Sequence, residues 1–94
     1  MISADEAKQA NLIEKVVPPE QLLAEAKRLA GVIASKAPLA IAATKRAIHK
    51  GLQMDLHSAL ELEADEFGAI AMTADAKEGT AAFLAKRPPA FSGT

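Results

Sequence analysis

Phe83 and Lys86 stand three residues apart near the end of a run with helical spacing, so their side chains can share one helix face. An aromatic ring beside an ammonium makes a receptor for a nucleotide: the ring stacks on the base and the cation meets a phosphate. The only other aromatic residues are Phe67 and Phe91, and core filling is the plainer use of any buried phenylalanine. Lys45, Arg46, His49 and Lys50 form a second basic group that could attract a phosphate. The same four residues also suit the negative end of a helix dipole. Glu61, Glu63, Asp65 and Glu66 cluster, with His57 four residues before Glu61. A carboxylate-bundle metal site needs Glu-x-x-His pairs facing each other from two helices. Only one side of such a site can be drawn, so the cluster reads as a solvated face and no metal ligand is assigned. There is no cysteine nucleophile, no Gly-x-Ser-x-Gly elbow and no glycine-rich phosphate loop. No residue is assigned as catalytic.

The elements that must position these groups are helices. Ser3-Ala4-Asp5-Glu6 has the form of a capping box. The helix it opens stops at Asn11, a residue that tolerates left-handed backbone. Leu12 to Val17 is β-branched and reads as one short extended segment before Pro18. It has no strand partner in this chain, so it either pairs outside it or is irregular. A second helix opens at Pro18-Pro19-Glu20, carries Leu22, Ala26, Leu29, Ala30 and Ile33 on one face, and stops by Ala37. A third runs from Pro38 to Lys50 and is closed by Gly51. Asp55 caps a fourth, Leu56 to Met72. A fifth opens at Asp75 with Glu78 and ends near Lys86-Arg87, before Pro88-Pro89. Gly31 and Gly68 fall inside helical patterns, where they read as close helix contacts. The tail from Ala90 to Thr94 reads as loosely held. The fold class is mainly α: about five helices plus one short extended segment in a single domain, residues 1–94.

Composition bounds what such a domain can do. Half of the 94 residues are hydrophobic, but only 3% are aromatic. About a quarter of the chain is alanine, which buries little area, so the chain can build only a small core alone. Eleven basic and twelve acidic side chains leave a net charge of −1. That excludes nucleic-acid binding by bulk charge and an acidic disordered tail. No apolar run approaches the roughly 20 residues of a membrane span. The absence of cysteine fits a reducing compartment, and the expected location is cytoplasmic.

The order of these segments resembles the C-terminal region of the crotonase family, the enoyl-CoA hydratases and isomerases. The resemblance begins with Ile2-Ser3-Ala4-Asp5-Glu6-Ala7, Asn11-Leu12-Ile13 and Val16-Val17-Pro18. It continues through Ala34-Ser35-Lys36-Ala37-Pro38-Leu39-Ala40 and Thr44-Lys45. It is best over Leu62-Glu63-Ala64-Asp65-Glu66-Phe67, Thr73-Ala74-Asp75-Ala76-Lys77-Glu78-Gly79 and Ala82-Phe83-Leu84-Ala85-Lys86-Arg87-Pro88.

The resemblance implies a missing N-terminal core, which in the family carries the oxyanion-hole amides and the catalytic glutamates. Met1 then starts a fragment rather than a complete enzyme. None of the carboxylates here matches the catalytic glutamates by position. Glu6 comes closest in chain order, and its capping role accounts for it. The family's C-terminal helices assemble trimers, often paired as hexamers, and cover the acyl-CoA site in part from a neighbouring subunit. Phe67 and Phe83 match aromatic positions lining the acyl-CoA pocket or its nucleotide end, and Lys86 matches a basic position that reaches a coenzyme A phosphate. Ala71 departs from the large side chain common four residues after the first Phe, and Asn11 replaces the usual glycine. The Leu12–Val17 segment would run beside the upstream core, and the helices should expose apolar surface. No cofactor is implied beyond the coenzyme A thioester as substrate of the parent protein. The competing reading is a stand-alone helical interaction module whose apolar stripes bind a partner and no ligand.

Overall fold

Three of the helices open on a side-chain cap that satisfies one of their first free N–H groups. The computed structural model describes residues 1–94 and places them in five α-helices and one 3₁₀ turn: α1 (Ala4–Gln9), the turn Pro19–Gln21, α2 (Leu22–Ala34), α3 (Pro38–Gly51), α4 (Leu56–Ala71) and α5 (Ala74–Leu84). These fall into two compact units, Met1–Val32 and Ile33–Thr94.

In the first unit the Ser3 capping box forms as expected. The Glu6 N–H donates to Ser3 Oγ at 3.1 Å, and the Ser3 N–H donates to Glu6 Oε2 at 2.6 Å. Asn11 takes the left-handed conformation, φ 58°. Its N–H bonds the Lys8 carbonyl while the Leu12 N–H bonds the Ala7 carbonyl, the paired bonds of a Schellman stop. Leu12 to Val17 then forms no strand; with no neighbouring strand to bond, the segment is irregular. Lys15 Nζ donates to Glu25 at 2.7 Å, and Arg28 grips the same carboxylate from the next turn of α2.

In the second unit α3 and α4 form the principal helix pair. Asp55 caps α4 by accepting from the Ser58 N–H at 3.0 Å. The opening of α5 differs from the sequence reading. Thr73, not Asp75, is its cap: its backbone is extended (φ −74°, ψ 158°) and its hydroxyl accepts from the Ala76 N–H. The helix also ends earlier, at Leu84, because Lys86 turns left-handed at φ 53°.

The tail is held, contrary to expectation. Asp75 is only 2% exposed, and it is the one buried charged residue. Its carboxylate accepts from the Ser92 N–H at 2.7 Å, the Gly93 N–H at 2.8 Å and Ser92 Oγ at 3.2 Å. The Asp75 N–H in turn donates to the Thr94 main-chain oxygen at 2.9 Å. A buried carboxylate needs such donors to offset its lost hydration, and tail amides supply them. Gly93, at φ 80°, supplies the positive φ the last turn requires.

The fully buried hydrophobic residues are two alanines, Ala43 and Ala82, each 1% exposed. Leucines 22, 29, 52, 56 and 60 all remain exposed, as does Met72. The expected uncovered apolar faces are therefore present. The reading of Gly31 and Gly68 as close helix contacts is not met within this chain, since a Cβ built on either meets nothing within 4 Å. Gly68 lies inside α4, where glycine costs a helix up to about 1 kcal/mol relative to alanine. Gly68→Ala is expected to raise the stability of the isolated chain by up to about 1 kcal/mol, read as an upward shift of the thermal unfolding midpoint.

Candidate functional site

The second unit carries two apolar grooves and one reinforced turn, and the sequence-predicted residues divide between them. The larger groove, about 890 Å³, lies along α3 and α4 and is lined by Ala47, Ile48, Leu56, Leu60, Phe67 and Ile70 among others. One wall is pinned by Arg46, whose Nε and Nη2 meet the two oxygens of Glu66 at 2.8 and 2.7 Å. This fork-to-fork geometry joins α3 to α4 and holds the Glu66 carboxyl below its usual range. Arg46 is thus engaged rather than available to a phosphate. Glu66 likewise leaves the acidic cluster, and His57 meets Glu61 at 3.2 Å on an exposed face.

A smaller groove lies between α4 and α5, lined by Phe67, Ile70 and Ala71 on one side and Ala76, Thr80 and Leu84 on the other. Phe67 therefore borders both grooves, with 73% of its surface exposed. Phe83 lines neither, and is 82% exposed. On a helix turning about 100° per residue, Phe83 lies at the seam between the groove face of α5 and the face bearing Asp75 and Gly79. Ala71, the small residue in place of a larger one, does line the smaller groove. Three residues named from the sequence are thus placed in two settings: Phe67 in the grooves, Phe83 and Lys86 on the turn that ends α5.

That turn is a second Schellman stop. The Lys86 N–H bonds the Phe83 carbonyl at 3.2 Å, and the Arg87 N–H bonds the Ala82 carbonyl at 3.0 Å. Left-handed backbone costs a residue bearing a Cβ about 1–2 kcal/mol. Beyond it, Arg87 Nη1 and Nη2 grip Glu78 at 2.6 and 2.9 Å, and the Ala90 N–H also donates to Glu78 at 2.8 Å. Farther along, the Phe91 ring lies over Gly79, 3.5 Å from where a Cβ would stand. The tail thus runs back along α5 from Glu78 to Asp75. No hydrogen bond or ion pair within the chain engages the Lys86 ammonium.

The sequence reading missed the roles of Asp75 and Glu78. A usable signal was present: Ser92-Gly93 behind Pro88-Pro89 offers free amides at a forced reversal, and two acids on α5 stand ready to accept from them.

The sequence model of the enoyl-CoA hydratase/isomerase family matches residues 1–94. The chain belongs to this family. It is 48% identical over 91 residues to a crotonyl-CoA hydratase of Syntrophomonas wolfei, covering 97% of this chain and 35% of the relative. It is 43% identical over 86 residues to a short-chain-enoyl-CoA hydratase of Clostridium acetobutylicum, covering 92% of this chain and 33% of that one. The crystal structure of an enoyl-CoA hydratase from Bacillus anthracis superposes with a TM-score of 0.94 at 42% identity, over 99% of this chain and 36% of that one. The chain therefore spans about a third of the length of these enoyl-CoA hydratase relatives, and what it matches is a C-terminal portion of them. The mainly helical fold and the family resemblance read from the sequence both hold. No helix is long and apolar enough to cross a membrane.

Two of the ion pairs bear on pH. Arg28 first, then Lys15, lowers the Glu25 carboxyl from 4.5 to about 2. Arg87 first, then the Ala90 N–H, does the same for Glu78. A carboxyl whose folded pKa is depressed stabilises the fold above its unfolded pKa and loses that contribution as pH falls through the folded one. The thermal midpoint is expected to fall as pH drops from about 4.5 towards about 2. Glu78→Gln should flatten part of that slope in a pH series of melts.

Proposed function

We propose that these helices serve, within a longer enoyl-CoA hydratase/isomerase protein, to assemble subunits and to cover part of an acyl-CoA site. The chemistry belongs to a core outside this segment. The substrate class is a coenzyme A thioester, with no separate cofactor. Phe67 and Phe83 lend apolar surface to the acyl or nucleotide part of the ligand, and Lys86 meets a phosphate. The partners are an N-terminal core and further copies of the chain, in a trimer or hexamer.

The observation that carries this reading is the mismatch between core and surface. Only two alanines are fully buried among hydrophobic residues, while Phe67, Phe83, Met72, Leu52, Leu56 and Leu84 stand in the open. Solvent-exposed apolar surface on this scale is a mark of an interaction face. The similar proteins named crotonyl-CoA hydratase and short-chain-enoyl-CoA hydratase support the thioester class.

Sedimentation of the 94-residue chain at several concentrations is expected to show self-association. A strictly monomeric species at millimolar concentration would remove the assembly role. Titration with coenzyme A is expected to shift the NMR signals of Phe83 and Lys86, and the chain should not hydrate crotonyl-CoA. Measurable hydration would refute the division of labour between core and helices. The second reading, an interaction module without ligand, draws support from the placing of Phe83 and Lys86 outside both grooves. Silence of both residues towards coenzyme A would favour it.

A further inference from the structure

Lys86 is the one residue of the turn after α5 whose backbone sits at odds with its type. Its φ of 53° lies in the left-handed region, which glycine adopts without penalty and lysine does not. Asn11 provides an internal comparison. It ends α1 with the same pair of main-chain bonds and nearly the same φ, but asparagine tolerates that conformation. A strained residue persists only where its surroundings over-determine it, and such strain gathers at functional sites.

The surroundings here do over-determine it. Just past Lys86, Glu78 holds Arg87 by two nitrogens and the Ala90 N–H as well. At the far end, the buried Asp75 carboxylate spends its hydrogen bonds on Ser92 and Gly93. Between them Phe91 covers Gly79. The chain leaving Lys86 is therefore fixed at both ends against α5. The neighbouring cation Arg87 is consumed by this clasp, whereas no ion pair takes the Lys86 ammonium.

We propose that Asp75 and Glu78 are positioning residues for Lys86: by clasping residues 88–94 back along α5 they hold the strained turn that presents Lys86 to an anionic group. The proposal rests on the reading above that Lys86 meets a phosphate of coenzyme A. It adds that the strain at Lys86 is retained for its side chain, at the expense of stability.

The test uses the full chain with coenzyme A as probe. Lys86→Gly should raise the thermal midpoint by about 2–5 °C and weaken coenzyme A binding about tenfold. Asp75→Asn and Glu78→Gln should each weaken binding while Lys86 itself is intact. Adding Lys86→Gly to either should then cost little more, because the three act as one unit. Ser92→Ala, which removes the 3.2 Å hydroxyl contact to Asp75 and the 2.7 Å contact to the Thr94 hydroxyl but keeps the Ser92 N–H bond, is the milder variant should Asp75→Asn fail to fold, and should weaken binding in the same sense. Glu25→Gln, which loosens the Lys15–Glu25–Arg28 contacts of the first unit, should leave binding unchanged. Additive losses, or an equal loss from Glu25→Gln, would overturn the positioning role. If the unmodified chain does not bind coenzyme A, the ligand reading fails by itself. The clasp is then decided by the Lys86 HN–Hα coupling and Cα shift: positive φ lost in Asp75→Asn sustains it, and an unchanged Lys86 turn ends it.

Discussion

A carboxylate removed from water is tolerable only where donors replace its hydration, and the C-terminal third of this chain is arranged around one such group. Asp75 is buried, and the donors that satisfy it come from Ser92 and Gly93, seventeen and eighteen residues away. The bond is long-range, so it fixes the path of everything between. The tail cannot leave α5 without giving up the hydrogen bonds that Ser92, Gly93 and Thr94 make with Asp75, and the turn at Lys86 cannot relax without moving the tail. Glu78 shortens the lever by holding Arg87 and Ala90 close to that turn. Polar contacts, rather than a hydrophobic core, thus set the geometry at the end of α5.

That division follows from composition. Alanine dominates the helix faces that meet, so α3 and α4 can approach closely but gain little area from doing so. Arg46 and Glu66 supply the directional link between them. Larger apolar residues, Ile48, Leu56, Leu60 and Phe67 among them, line the groove beside that contact and stay largely uncovered. Fully burying an exposed phenylalanine or leucine is worth up to about 1.5–3 kcal/mol, so covering several would be comparable to the whole stability typical of a small domain. In a segment spanning a third of its relatives' length, these exposed faces are the surfaces that the proposed assembly would cover.

The same contrast explains the electrostatic pattern. Glu25, Glu66 and Glu78 each face an arginine at hydrogen-bond distance, and their carboxyls are all lowered. Surface ion pairs contribute little individually. Here their use is geometric, since a forked guanidinium fixes direction as well as distance. Lys86 is left out of this pattern, which separates it from the arginine beside it.

Most of the helix boundaries were legible in the sequence because they are decided within one turn. The Ser3 capping box, the left-handed Asn11 and the Asp55 cap depend on neighbours three or four residues away, and such chemistry is written locally. The family resemblance was legible for a different reason: residue order survives where shape is not visible. Both ends of α5 were misread. Asp75 and Glu78 have the spacing of a helix start, and nothing local says that their carboxylates turn towards residues near 90. Whether Leu12 to Val17 would pair was equally undecidable from its β-branched pattern, since a strand exists only with a partner. The sequence by itself determined which segments are helical and which faces are apolar, because periodicity and capping are properties of adjacent residues. The tertiary structure alone decided that Asp75 is buried, that Lys86 is strained and that Phe67 and Phe83 stand apart, because each depends on where a distant stretch of chain comes to lie.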